Sequence, residues 1–149
     1  MAEHVGNGCE FREVKGDLFK CDKDFSLAHC VSADMHMGKG IATVFKKMFG
    51  GIDELRRQGG KQGGVSILKR DERFIYYLIT KEKYYYKPTY ETLRNSLKAM
   101  AKHCQENNVR KLAMPRIGCG LDQLDWIIVR NIVKEIFKDI NVNIVIYSL

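Results

Sequence analysis

A chain of 149 residues, 45% hydrophobic and 29% charged, suits one globular domain with a substantial core. No stretch approaches the roughly 20 apolar residues of a membrane-spanning helix. The net charge of +7 favours polyanions or phosphate-bearing ligands, although the basic residues are dispersed outside KRDER and KEKYYYK and no nucleic-acid motif is present. The five cysteines are odd in number and form no C-x-x-C pair, which argues for a reducing compartment and against a disulfide framework. The four histidines lack H-E-x-x-H or zinc-knuckle spacing, so no metal is expected. The opening MAEHVGNGCEF has no basic region followed by an apolar one, and a chain that is not secreted is expected.

In chain order, CEFREVKG holds a first short strand, reaching Val14. SLAHCVS, 26 to 32, reads as a buried strand. IATVFKKMF, 41 to 49, reads as a helix ended by Gly50 and Gly51, and IDELRRQ continues as a second helical piece. GGKQGG is a loop. GVSILKR and RFIYYLITK are strands separated by Asp71-Glu72, a hairpin signal. Pro88-Thr89 opens a long helix with Thr89 as N-cap and Leu93, Leu97 and Met100 at helical spacing. VRKLAMPRI is another strand. The helix near Asp125 places Leu124, Ile128, Ile132 and Ile136 on one stripe, with Val129, Val133 and Phe137 beside it. NIVIYS is the last strand. Strands alternating with amphipathic helices predict an α/β fold, a sheet covered on both faces, with ligands outside the carboxyl ends of its strands.

Three loops leave such ends: SADMHMGKGIA, KEKYYYK and RIGCGLD. Gly38-x-Gly40 and Gly118-x-Gly120 both miss the third glycine of a dinucleotide fingerprint, and no P-loop is present. The two loops read either as ordinary turns or as backbone cradles for a diphosphate beside helix N-termini. Alone, Lys81 reads as a solvent-facing lysine in a basic stretch, and Asp122 as the N-cap of the next helix.

VKGDLF (14 to 19), SLAHCVSADMHMGKGIA (26 to 42), VFKKMFGG (44 to 51) and MPRIGCGLD (114 to 122) together resemble a macrodomain, a module that binds ADP-ribose. The likeness is closest to the branch of terminal ADP-ribose protein glycohydrolases, or O-acetyl-ADP-ribose deacetylases. It implies a single macrodomain over 11–149, a three-layer α/β/α unit with a central mixed sheet, after a flexible N-terminal segment at 1–10. Where the commoner macrodomain pattern has asparagines near the distal ribose, this chain has Ser32-Ala33-Asp34. That departure favours the branch using a lysine and an aspartate.

In that branch the lysine follows the strand ending LIT and the aspartate ends the glycine loop. The resemblance therefore implies Lys81 and Asp122 as catalytic residues. A neutral lysine amine can attack the anomeric carbon of the distal ribose, or its ring-opened aldehyde, to give a Schiff-base-type adduct. An ordinary lysine, with a pKa near 10.4, must first lose a proton, and an aspartate can take it. Binding is implied for Asp17, Leu18, Ser32, Ile41, Arg116, Ile117, Gly118, Cys119, Gly120, Leu121 and the terminal Leu149. Asp17 reads as an adenine partner or a turn residue, and Cys119 as a small loop residue rather than a nucleophile. Tyr84–Tyr86 form a packed or partly exposed loop, or alternatively a cover that stacks on a ring.

The implied activity removes mono-ADP-ribose, and terminal poly-ADP-ribose, from glutamate and aspartate side chains and deacylates O-acetyl-ADP-ribose, without a cofactor. Implied partners are ADP-ribose and ADP-ribosylated proteins, with poly-ADP-ribose and ADP-ribosylated nucleic acid also open, and no membrane. A monomer is expected, in the nucleus (nucleoplasm and nucleolus) with a role in the DNA damage response, the cytoplasm also being open. The alternatives are a reader of ADP-ribose without catalysis and an ADP-ribose-1″-phosphate phosphatase.

Overall fold

Runs of β-branched and aromatic residues form the strands, and glycine-rich or Asx-containing breaks end them. The computed structural model describes residues 2–149. Its strands are β1 (Glu3–Val5), β2 (Cys9–Lys15), β3 (Ser26–Ser32), β4 (Gly64–Arg70), β5 (Arg73–Lys81), β6 (Lys111–Pro115) and β7 (Asn143–Ser148). Its helices are α1 (Ile41–Phe49), α2 (Ile52–Arg57), α3 (Tyr90–Glu106) and α4 (Trp126–Phe137), with a 3-10 turn at Leu18–Lys20.

The seven strands form one mixed sheet in the order β1-β2-β7-β6-β3-β5-β4. The five from β2 to β5 are parallel, while β1 and β4 pair antiparallel at the two edges. The period-2 alternation of strands divides the core in two. On β5, Tyr76 and Leu78 join the core beneath α3 and α4, while Ile75, Tyr77 and Ile79 join the one beneath α1 and α2. The sheet is thus buried on both faces, which is why its central strands read as nearly continuous apolar runs.

Two expectations differ from the structure. The segment 1–10, set apart as flexible, contributes β1 and the start of β2, with Glu3 opposite Phe11 and Val5 opposite Cys9. Met1 lies outside the described residues. EHV carries one apolar residue, so this edge strand depends on pairing with β2 rather than on a pattern of its own. On α4, Ile128 is exposed, and the buried residues are Val129, Ile132, Val133 and Phe137. The helix buries the arc facing α3 and the sheet, which lies to one side of the expected stripe.

The topology explains where a site forms. From β3 the chain passes through α1, α2 and β4 to β5 on one side, and then through α3 to β6 on the other side of β3. Connections leaving in opposite directions open a crevice at the carboxyl end of β3.

Candidate active site

A cavity of about 590 Å3 opens where β3, β5 and β6 end. Its walls come from Ser32, the 36–42 loop, Lys81, the 84–87 segment, and residues 115–118 and 120–122. That volume lies within the roughly 300–1,000 Å3 typical of small-molecule sites.

Lys81 is the last residue of β5. It pairs with Ser32 across a register shift between Val31 and Ser32, and its carbonyl accepts from Ala33 N–H at 2.9 Å. Its Nζ donates to Asp122 Oδ1 at 2.7 Å, and the two side chains are only 14% and 17% exposed. A close, sheltered pair of this kind is a far stronger constraint than a surface ion pair.

The loop holding Asp122 is fixed by its own backbone. Cys119 N–H donates to Arg116 O at 3.2 Å, Gln123 N–H to Gly120 O at 3.1 Å, and Leu124 N–H to Gly118 O at 2.8 Å. Gly118 sits at φ +73°, and a Cβ there would lie 2.9 Å from Leu124 Cδ1. Glycine therefore provides both the backbone conformation and the clearance at this turn. Asp122 does not cap the following helix. Asp125 does so, accepting from Ile127 N–H at 2.9 Å.

The opposite wall is organised by Asp34. Its Oδ1 accepts from the Ser32 hydroxyl and from His36 N–H at 3.2 Å, and its Oδ2 from Tyr84 N–H at 3.1 Å. Burial pushes the Asp34 carboxyl up, but these hydrogen bonds outweigh it and hold the carboxyl below its ordinary range. The rings of His36 and Tyr84 stack with centroids 3.9 Å apart. Lys87 Nζ donates to Leu121 O at 2.9 Å and ties the tyrosine segment to the glycine loop. Tyr84, Tyr85 and Tyr86 are all exposed at the cavity mouth.

Of the expected residues, Ser32, Ile41, Lys81, Arg116, Ile117, Gly118, Gly120, Leu121 and Asp122 line the cavity. Asp17, Leu18, Cys119 and Leu149 are not on its walls. Asp17 caps the 3-10 turn through Phe19 N–H at 2.9 Å. Leu18 is buried in the core beneath α1, and Leu149 is fully exposed. The Cys119 thiol faces Ile117 O at 3.2 Å, and burial pushes it up to about 11, away from thiolate chemistry.

The structure adds Asp34 and Lys87 as residues that hold the site, and His29 as part of its lining. His29 stacks on Phe45 at 3.7 Å, and burial pushes its pKa down to about 3, so it is neutral. The Ser-x-Asp spacing signals a local turn at Asp34. No spacing rule signals its partner fifty residues away.

A mixed sheet with a parallel centre, buried on both faces and with glycine loops around a crevice at its switch point, is the architecture of nucleotide-binding α/β modules. The Macro domain model matches residues 28–133, and the chain belongs to the macro domain family, as the loop resemblance implied. It is 54% identical over 142 residues to the human protein named ADP-ribose glycohydrolase OARD1, covering 95% of this chain and 93% of that one. It is 27% identical over 133 residues to the DNA ADP-ribosyl glycohydrolase of Thermus aquaticus, covering 83% of this chain and 37% of that one. Among solved structures, the macrodomain of Thermus aquaticus DarG matches with a TM-score of 0.84 at 25% identity, over 95% of this chain and 100% of that one.

Proposed function

We propose that this macro domain is a hydrolase that releases ADP-ribose from modified glutamate and aspartate side chains, with Lys81 as nucleophile and Asp122 as general acid and base. The observation that carries this reading is the 2.7 Å contact between Lys81 Nζ and Asp122 Oδ1 inside the cavity. A protein that only reads ADP-ribose has no use for a sheltered amine–carboxylate pair beside the ligand. The 54% identical human relative carries the name ADP-ribose glycohydrolase, which supports the same class of reaction here.

The walls suit the substrate. Gly40 caps α1 without any side-chain hydrogen bond, and Thr43 N–H donates to Gly40 O at 3.2 Å, which leaves the Ile41 and Ala42 amides for an anion. The glycine loop at 116–122 presents further backbone on the facing wall. Together they suit the diphosphate and distal ribose.

In the reaction, Asp122 takes a proton from Lys81 Nζ, and the neutral amine attacks the anomeric carbon of the distal ribose. The bond from that carbon to the carboxylate oxygen breaks, and the side-chain carboxylate leaves. Water then cleaves the lysine adduct while Asp122 returns the proton, which releases ADP-ribose and restores the amine. Deacylation of O-acetyl-ADP-ribose also cleaves an ester to the distal ribose, and it is the same break where the acetyl group sits on the anomeric oxygen; a terminal poly-ADP-ribose unit joined to a carboxylate through its anomeric carbon leaves in the same way.

Lys81→Ala is expected to abolish release from modified protein while ADP-ribose affinity stays within about tenfold, because the amine acts on the reacting bond rather than on binding. Product release assays and calorimetric titration check the two halves. A wild-type rate in Lys81→Ala would falsify the lysine mechanism.

A further inference from the structure

Consecutive residues hold the segment bearing Lys81 at two points. Ala33 N–H donates to the Lys81 carbonyl at 2.9 Å. Three residues further on, Tyr84 N–H donates to Asp34 Oδ2 at 3.1 Å. The two carboxylate oxygens have separate duties. Oδ1 serves the end of β3 and its loop, through Ser32 Oγ and His36 N–H. Oδ2 reaches the chain that leaves β5.

This division matters because few other bonds hold the chain beyond Lys81: Gln62 N–H to Glu82 Oε1 at 3.4 Å, the Tyr86 N–H to Lys83 O turn at 3.0 Å, and Lys87 Nζ to Leu121 O at 2.9 Å, six residues on. Residues 82–87 are exposed, and their side chains are not held in either core. A lysine side chain is long and flexible, so the position of Nζ depends on how firmly its backbone is placed. A misplacement of about 1 Å at a reacting group costs on the order of a hundredfold in rate. The Ser32 hydroxyl, on the cavity wall, donates to Asp34. Its place on the cavity wall is therefore part of the same support.

We propose that Asp34 is a positioning residue: it fixes the backbone that presents Lys81 to Asp122, and it holds Tyr84 in its stack on His36 at the cavity mouth. Asp34 touches no reacting atom in this role. The inference rests on the reading of Lys81 as the reacting amine.

Asp34→Asn separates the duties of the two oxygens. An asparagine that keeps its oxygen toward Ser32 and His36 turns its NH2 toward Tyr84 N–H, and the tie across the cavity is lost. The expected result is a fall in kcat of about tenfold or more, with the dissociation constant for free ADP-ribose changed by less than about threefold. Hydrogen exchange at the Tyr84 amide is expected to accelerate. Assays run well below the melting temperature of the variant keep lost folding apart from lost alignment. Tyr84→Pro removes the donor and leaves Asp34 intact. It is expected to lower kcat in the same way, and it serves if the asparagine variant does not fold.

Wild-type kcat in either variant, with faster exchange at Tyr84 in Asp34→Asn, overturns the positioning role. So does a loss confined to ADP-ribose affinity, which makes Asp34 a binding residue. Lys81→Ala is assayed in parallel. If it is inactive while Asp34→Asn matches wild type, only the positioning role fails. If Lys81→Ala is itself active, the reading of the site fails and the positioning role with it.

Discussion

Asp125 Oδ1 accepts the Ile127 amide at 2.9 Å, so the cap of α4 lies three residues beyond the carboxylate that faces Lys81. The two aspartates of the loop therefore separate stability from chemistry. Asp125→Ala is expected to cost about 1 kcal/mol, the usual loss for an N-cap, and to leave turnover near wild type. Asp122→Ala is expected to lose turnover, and any shift in its melting temperature reflects the unpaired Lys81 ammonium rather than a lost cap. Thermal melts and product release on both variants check the pair, and the reversed pattern would restore the capping role to Asp122. At this scale the sequence was only partly informative. Two glycine pairs suit either ordinary turns or an anion site, and nothing in their spacing names Lys81, which lies 41 positions from Asp122. That assignment came from loop resemblance. Asp34 was visible only as a departure from a commoner pattern, because its bond to Tyr84 exists only once β3 and β5 lie side by side.

The elements that carry these residues were more legible. β3, α1, β4, β5 and β7 fall on the residues that apolar runs and glycine breaks indicated, and Thr89 caps α3 as expected, with Thr92 completing the capping box. Each of these has a strong local pattern. β1 has none, and its existence depends on a partner strand. α4 shows the other limit: two adjacent apolar rows exist on the helix, and packing against α3 and the sheet selects which is buried. The glycine loop is an element in its own right, and its shape depends on Gly118. Gly118→Ala must hold an L-residue at φ +73° and bring Cβ to 2.9 Å from Leu124 Cδ1. The backbone term alone is about 1–2 kcal/mol. A lowered urea midpoint together with reduced turnover is expected, since the same loop aims Asp122. Unchanged values for both would show that the loop does not need glycine there.

The whole molecule adds a pH dependence that the site alone would not suggest. His29 lies buried between Phe45 and Tyr77, and neither ring nitrogen has a hydrogen-bond partner among the described residues. Burial lowers its pKa to about 3, against about 6.5 for a free histidine. Between those values the unfolded chain binds a proton that the folded chain does not. Stability is therefore complete above about pH 6.5 and falls on acidification by about 1.4 kcal/mol per pH unit for this group. His103, also lowered by burial, acts in the same direction. The depressed carboxyls of Asp34 and Glu13 add their loss only below about pH 4, so they leave the interval from 5 to 6.5 to the histidines. Urea unfolding from pH 7 to 5 is expected to show a falling stability in the wild type and a shallower fall in His29→Leu. Equal slopes would mean that His29 gains its proton without unfolding.

Catalysis through Lys81 is the claim on which the rest depends, and mass spectrometry of the chain during turnover tests it most directly. Acid-quenched and borohydride-quenched samples with ADP-ribosylated protein are expected to show an added ADP-ribosyl mass that peptide mapping assigns to Lys81. Modification of another residue, or turnover through a quenched time course with the mass of the chain unchanged, would contradict the account.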